Sequence, residues 1–206
     1  MFITISRQYA AGGSKIASQV AAALDWTVVD NAFVDQIAER SGYDPEDVAS
    51  LEERVPGFLE RLAQSSALSF PEYLVSSPEV LDEPQELKLA RITRDLVAEL
   101  GRRDRMVMVG RAAAAVLARD ENALHVRVVA PREQRIETAI RRLGIDRHEA
   151  PSVVDDSDDN RARYHQEYYD RDWNDPVNYH LVINTALVGY DGATSLIVAA
   201  ARNRDW

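Results

Sequence analysis

Residues 2–30 read FITISRQYAAGGSKIASQVAAALDWTVVD. Residues 2–6 are a short run rich in β-branched side chains, which predicts a buried strand. Residues 7–13 follow as a loop with paired glycines. From Ser14 the pattern turns helical, because Ile16, Val20 and Leu24 lie four apart on one face. Residues 26–29 return to a strand that ends at Asp30. Strand, glycine loop, helix and strand make a βαβ unit.

The same alternation continues along the chain. Residues 31–101 read as mainly helical, punctuated by Pro56, Pro71, Pro78 and Pro84. Their last part is a long helix from Pro84 to Leu100 with Leu89, Ile92, Leu96 and Leu100 on one side, stopped by Gly101. Residues 105–109 are a third strand, apolar enough to be covered on both faces, and Gly110-Arg111 stands at its end. Residues 124–129 are a fourth strand. Pro131 opens a helix carrying Arg132, Arg135, Arg141 and Arg142, and Gly144 closes it. Residues 145–160 are acidic and polar and predict a mobile segment, with Asp155-Asp156-Ser157-Asp158-Asp159 within it a solvated hinge. A Tyr- and Arg-rich helix is expected from about Asp158 to Asp172, a fifth strand over 180–184, and a closing amphipathic helix over 192–202. This order predicts a parallel sheet with helices on both faces. Such sheets bind ligands beyond the carboxyl ends of their strands, so residues 7–14, Asp30, Gly110-Arg111 and the stretch after Val129 are the places to look.

The totals narrow the function. A chain of 206 residues suits one domain. The net charge of −10 argues against broad binding to nucleic acid or anionic membrane. No apolar run reaches the roughly 18–20 residues of a membrane span. The first residues read as a strand and not as a signal peptide. There is no cysteine, which removes disulfides and thiol chemistry and fits a cytoplasmic home. The cations other than Lys15 and Lys88 are arginines, whose planar forks suit phosphate.

Between the first strand and first helix, residues 6–15 combine three phosphate-binding devices: glycines that let backbone approach, converging N–H groups, and a helix N-terminus. Gly12, Gly13 and Ser14 sit where these meet, and the Ser14 hydroxyl is a candidate Mg²⁺ ligand. Against the Walker pattern G-x-x-x-x-G-K-[ST], the frame reads Arg7-x₄-Gly12-Gly13-Ser14. The spacing survives, but Arg7 stands at the first glycine and Gly13 at the lysine. A plain strand-to-helix turn capped by Ser14 is the competing reading.

The run ITISRQYAAGGSKIA resembles the opening of the cytidylate kinase-like family, which begins I-S-R-x-Y-G-S-G-G-x-x-I-A. Residues 28–33, VVDNAF, are similar to that family's aspartate-ended second strand, and Val109-Gly110-Arg111 to its third. Residues 128–135, VVAPREQR, resemble its strand-to-helix passage; Asp158-Asp159-Asn160-Arg161 and Arg163-Tyr164 resemble its lid helix. Residues 175–185, DPVNYHLVINT, resemble its final strand. The resemblance spans nearly the whole chain. It implies an α/β P-loop NTPase fold: a five-stranded parallel sheet, a helical monophosphate-binding insert over 31–101, and a lid over 144–172. It also implies a Mg²⁺-requiring phosphotransferase that uses ATP on a nucleoside monophosphate. On that reading Gly12, Gly13, Ser14 and Lys15 bind the donor and Ser14 the metal. Asp30, Arg94, Arg111 and Arg171 hold the acceptor, and Arg7, Arg161 and Arg163 are the catalytic cations.

Three departures bear on this. The Walker lysine is absent, as in this kinase-like branch; the family's Gly-Ser is Ala10-Ala11; and the aspartate that follows Gly-Arg in true cytidylate kinases is Ala112. A kinase of another small metabolite and a non-catalytic nucleotide-binding regulator are therefore the alternatives. The 84–100 helix offers a candidate homodimer surface.

Overall fold

The structure, a computed structural model, describes residues 1–29, 38–40, 42 and 85–203. Five strands form one parallel sheet: β1 (Phe2–Arg7), β2 (Thr27–Val29), β3 (Met106–Val109), β4 (Ala123–Val129) and β5 (Leu181–Asn184). Their order is β2-β3-β1-β4-β5. The sheet is in register from Phe2 opposite both Met106 and Ala123 up to Arg7 opposite Val128. The glycine-loop strand is thus central, and its neighbours lead away in opposite directions, which opens a crevice at its carboxyl end.

Strand alternation divides the core between the two faces. Ile3, Ile5, Val107, Val109, Val126 and Val128 point to one face and pack with α1 (Gly13–Leu24). The same layer contains α6 (Thr185–Asn203), a helix broken at Gly189, where φ is 69°. Phe2, Met106 and Met108 point to the other face, against α2 (Gln85–Gly101) and the short α3 (Ala113–Val116). A third cluster joins α4 (Arg132–Leu143) to α5 (Ala150–Tyr169) through Ile136, Ala139, Ala150 and Val154. The α/β class with a five-stranded parallel sheet is therefore as expected. The expected insert over 31–101 falls mostly outside the described residues.

Two expectations change. Residues 150–160 are not a polar hinge but the first half of a continuous helix. Its buried side is Ala150, Val154, Ser157, Arg161, Tyr164 and His165, a helical stripe whose polar members hide the period. Two of its acids are neutralised by α4: Asp155 pairs with Arg132 at 2.6 Å and Asp158 with Arg135 at 2.7 Å. The closing helix begins at Thr185, directly after β5, and not near Gly192. Among the described helices, none is long and apolar enough to cross a membrane.

Candidate functional site

The loop after β1 has two differently treated halves. Gln8 donates its N–H to Val128 O at 3.0 Å, and its side-chain oxygen accepts from Ala130 N–H at 3.1 Å. Tyr9 N–H donates to Asp158 at 2.8 Å, and Tyr9 O accepts from Arg135 at 3.3 Å. Ala11 O accepts from the buried Thr185 hydroxyl at 3.0 Å. Ala10, at a position where the resembled family has glycine, takes a left-handed φ of 58°, a conformation that strains a residue with a Cβ by about 1 kcal/mol.

The second half is open. Gly12, also left-handed with φ 91°, is the N-cap of α1, without a side-chain cap. This corrects the competing assignment of Ser14 as the cap. The backbone N–H groups of Gly12, Gly13, Ser14 and Lys15 donate to no acceptor among the described residues. These are the orphan donors that every helix N-terminus presents, and the helix dipole adds positive potential there. The Ser14 hydroxyl is exposed and makes no hydrogen bond among the described residues.

A cavity of about 370 Å³ lies over these groups. Among the described residues, Arg7, Lys15, Arg142 and Arg161 line it and no carboxylate does. A chain with a net charge of −10 thus concentrates cations at one edge of its sheet. Tyr190 closes one wall. Its ring carries Arg142 at 5.2 Å and Lys15 at 5.5 Å from the centroid, distances at which cations are held by an aromatic face. A second cavity of about 280 Å³ adjoins the first across Ala10, Thr138, Arg142 and Tyr190, and reaches Ala186 and Gly189. A small crevice on the other side is bordered by Arg7, Arg161, Gly110 and Trp173.

Asp158 organises the wall that carries Arg161. It is largely buried and lies between Arg135 at 2.7 Å and Arg161 at 3.3 Å. Burial pushes its carboxyl above the ordinary aspartate range, against the opposing pull of the Tyr9 N–H, Arg135 and Arg161. The half-buried Asp155 behaves oppositely, held below the usual range by the Arg132 guanidinium. Deeper still, the buried Arg127 of β4 stacks on Trp173 at 3.9 Å and donates to Trp173 O and Asn174. The Trp173 indole in turn donates to Ser6 at 2.8 Å, next to Arg7.

The structure brings Arg7, Gly12, Gly13, Ser14, Lys15 and Arg161 around one cavity. It does not bring the others there. Arg163 is exposed and bonded to Asn160. Arg171 ties α3 to the turn after α5, through Ala114 O at 3.0 Å and Asn178 at 2.7 Å. Arg94 is exposed, 3.5 Å from Asp95. Arg111 stands at the carboxyl end of β3 in a left-handed backbone, in a run with Gly110 and Ala112 whose φ values are 70°, 54° and 49° in chain order. Asp30 lies outside the described residues. Tyr190, Thr138 and Arg127 carried no sequence signal. Asp158 was visible only as the start of a lid-like run, and Arg142 only as one of several helix arginines.

A model of the cytidylate kinase-like family matches residues 2–187. No curated protein matches. Among solved structures, an uncharacterized protein from Eubacterium ventriosum superposes with a TM-score of 0.70 at 17% identity, over 99% of each chain. Shikimate kinase from Bacteroides thetaiotaomicron gives 0.55 at 11% identity over 98% of each chain. The enzyme from Acinetobacter baumannii gives 0.53 at 12%, over 100% of this chain and 95% of that one. At these identities the likeness is one of fold, the α/β P-loop fold.

Proposed function

This chain belongs to the cytidylate kinase-like family, and from that premise we propose that it is a phosphotransferase that moves the terminal phosphoryl group of ATP to a nucleoside monophosphate. The observation that carries the reading is the set of four open N–H groups at the start of α1, beneath a cavity lined by cations and no carboxylate among the described residues.

Charge-assisted hydrogen bonds from backbone N–H groups to phosphate oxygens are the strong kind, worth about 1.5–3 kcal/mol each. Gly12, Gly13, Ser14 and Lys15 supply them to the donor phosphates. An acceptor phosphate oxygen attacks the γ-phosphorus, the bond to the β–γ bridging oxygen breaks, and ADP leaves with that electron pair. The acceptor is already anionic at neutral pH, so no strong general base is required. The work left to the protein is positioning and charge neutralisation. Arg161 and Arg7 border both the main cavity and the crevice beside Gly110, so they would neutralise the transferring group at the boundary between the two. Arg111, at the strand end, is the acceptor-side cation; Asp30 and Arg94 belong to the same side, with the insert over 31–101. The region over 144–172 acts as the lid, closing with Arg161, and excludes water from the transfer. Arg163 and Arg171 support that lid from outside the cavity.

Bound Mg²⁺ supplies neutralisation of charge on the donor phosphate oxygens. Ser14 fits as a protein ligand for it, since its hydroxyl is exposed and uncommitted among the described residues. This ion commonly keeps waters and phosphate oxygens beside one or two protein ligands, so a single hydroxyl would be enough to hold it there.

A second reading keeps the transfer and changes the acceptor to another small metabolite. It is favoured by Ala112, which is 3% exposed and packed in the core, where an aspartate would serve a base-and-ribose pocket. The test is an ADP-release assay with ATP and a panel of monophosphates and phosphorylated metabolites. Release with a nucleoside monophosphate, lost in Ser14→Ala and Arg161→Ala, is expected. Release only with another metabolite selects the second reading. ATP binding without release under any acceptor overturns both.

A further inference from the structure

We infer that Arg7 and Gly13 are a reciprocal exchange of the Walker glycine and lysine: Arg7 stands in the space that a side chain at position 13 would use, and delivers from the strand the cation that the helix does not. The inference rests on the phosphotransferase reading for its chemistry, and on packing alone for its geometry.

In the Walker frame the first glycine precedes the lysine by six positions. Here both positions are changed, Arg7 for glycine and Gly13 for lysine. The two changes are sterically coupled. A Cβ built on Gly13 falls 2.7 Å from Arg7 Cβ, 2.7 Å from Arg7 Cγ and 3.4 Å from Arg7 Cδ. The clashing atoms are the root of the arginine stem, next to the rigid central strand, and not its flexible end. So a lysine at 13 is incompatible with an arginine at 7, and the absence of a Cβ at 13 is what admits the arginine. Gly13 has no left-handed φ to explain its identity; it is a buried helical position, where alanine would otherwise be preferred.

The exchange also explains where the cation is needed. Arg7 borders the cavity over the open N–H groups and the crevice beside Gly110, together with Arg161. A donor phosphate seated on the loop therefore meets Arg7 on the side facing the acceptor. The recognised ligand is a polyphosphate chain, gripped by a planar guanidinium instead of a point-charge ammonium.

The experiment is a four-protein cycle, wild type, Arg7→Gly, Gly13→Lys and the double variant R7G/G13K, paired with Gly13→Ala placed once in the wild type and once in the Arg7→Gly variant. Thermal melting reads the packing without any ligand. Gly13→Ala is expected to lower Tm by about 3–8 °C in the wild type, by overpacking against Arg7, and to leave Tm level or raised in the Arg7→Gly background. Equal losses in both backgrounds overturn the exchange. Calorimetric binding of ATP with Mg²⁺, and of inorganic tripolyphosphate, then reads the cation together with ADP release. Arg7→Gly is expected to cut turnover on the order of 10³-fold, the scale of a lost transition-state arginine. R7G/G13K, which restores the full Walker frame, is expected to recover polyphosphate binding and most of the turnover, while Gly13→Lys alone recovers neither. A folded double variant as impaired as Arg7→Gly overturns the inference and leaves the phosphotransferase reading intact. A wild type that binds polyphosphate without transfer overturns that reading instead, while the melting cycle still decides the exchange.

Discussion

Gln8, Tyr9 and Ala11 are tied to β4, α5 and α6 by side-chain and backbone hydrogen bonds. Gly12, Gly13, Ser14 and Lys15, the next residues of the same loop, spend none of their N–H groups on the described protein. The difference separates the loop into an immobilised half and a half whose donors are left open, the arrangement that preorganisation for a ligand requires. Had the second half been satisfied internally, each donor would have to break a protein bond before gaining a phosphate one.

The sharpest way to break the contrast is to cut the tether. Asp158→Ala removes the acceptor for Tyr9 N–H and leaves Arg135 and Arg161 facing an uncompensated gap. A loss of about 3–5 kcal/mol is expected from breaking a buried ion pair, read by urea unfolding, and phosphate binding should weaken with it. Asp158→Asn keeps a hydrogen-bond acceptor for Tyr9 and is expected to lose less than half of that; equal losses would mean that charge, and not the tether, is what matters. Gly12→Ala attacks the open half. Its Cβ would stand 2.6 Å from Tyr190 Cζ at a φ of 91°. Binding of ATP with Mg²⁺ should fall about 100-fold, or roughly 2.7 kcal/mol, with little change in the core. Thr185→Val removes one buried hydroxyl from Ala11 O and should cost about 1 kcal/mol of stability, far less than the Asp158 tether.

The smallest effect separates the two aspartates by pH. Asp155 titrates below its ordinary range because of Arg132, so its contribution is present above the unfolded aspartate pKa and is lost as pH falls through the depressed folded value. Asp158 titrates above its range because of burial, so its contribution is present at acid pH and is lost as pH rises through the raised folded value. Unfolding measured from neutral pH down into the aspartate range should show a shallower acid-side loss for Asp155→Asn than for wild type, and a steeper net acid-side loss for Asp158→Asn. Parallel profiles for the two variants would contradict the opposite environments.

The glycine loop was legible because its signals are local: a change of hydrophobic period at Ser14, two adjacent glycines and the Walker spacing all fall within a few residues of one another. The strands were legible for the same reason, since apolar runs such as residues 105–109 carry their burial in their composition. Arg161 could be picked out by its resemblance to a lid arginine. Residues 150–157 could not be placed in a helix from local pattern, because the buried stripe contains Ser157 and Arg161, and the acids between them are balanced only by α4. Arg163 and Arg171 share the residue type and neighbourhood of Arg161, yet one faces solvent and the other braces Ala114 and Asn178. A side chain's direction on a helix depends on what packs against that helix, and nothing within the segment encodes it.

The amino-acid order alone settled the class of fold, the alternation of parallel strands with helices and the glycine turn between the first strand and the first helix. These follow from periodicity, chain direction and the conformational freedom of glycine, which act over a few residues. Contacts between distant segments decided the rest. Arg7 occupies the space of a side chain at position 13, Tyr190 collects Lys15 and Arg142 on one ring, and Asp158 holds the loop from 149 residues away. Such pairings are set by close packing and by the need to satisfy buried charge, and both exist only once the chain has folded.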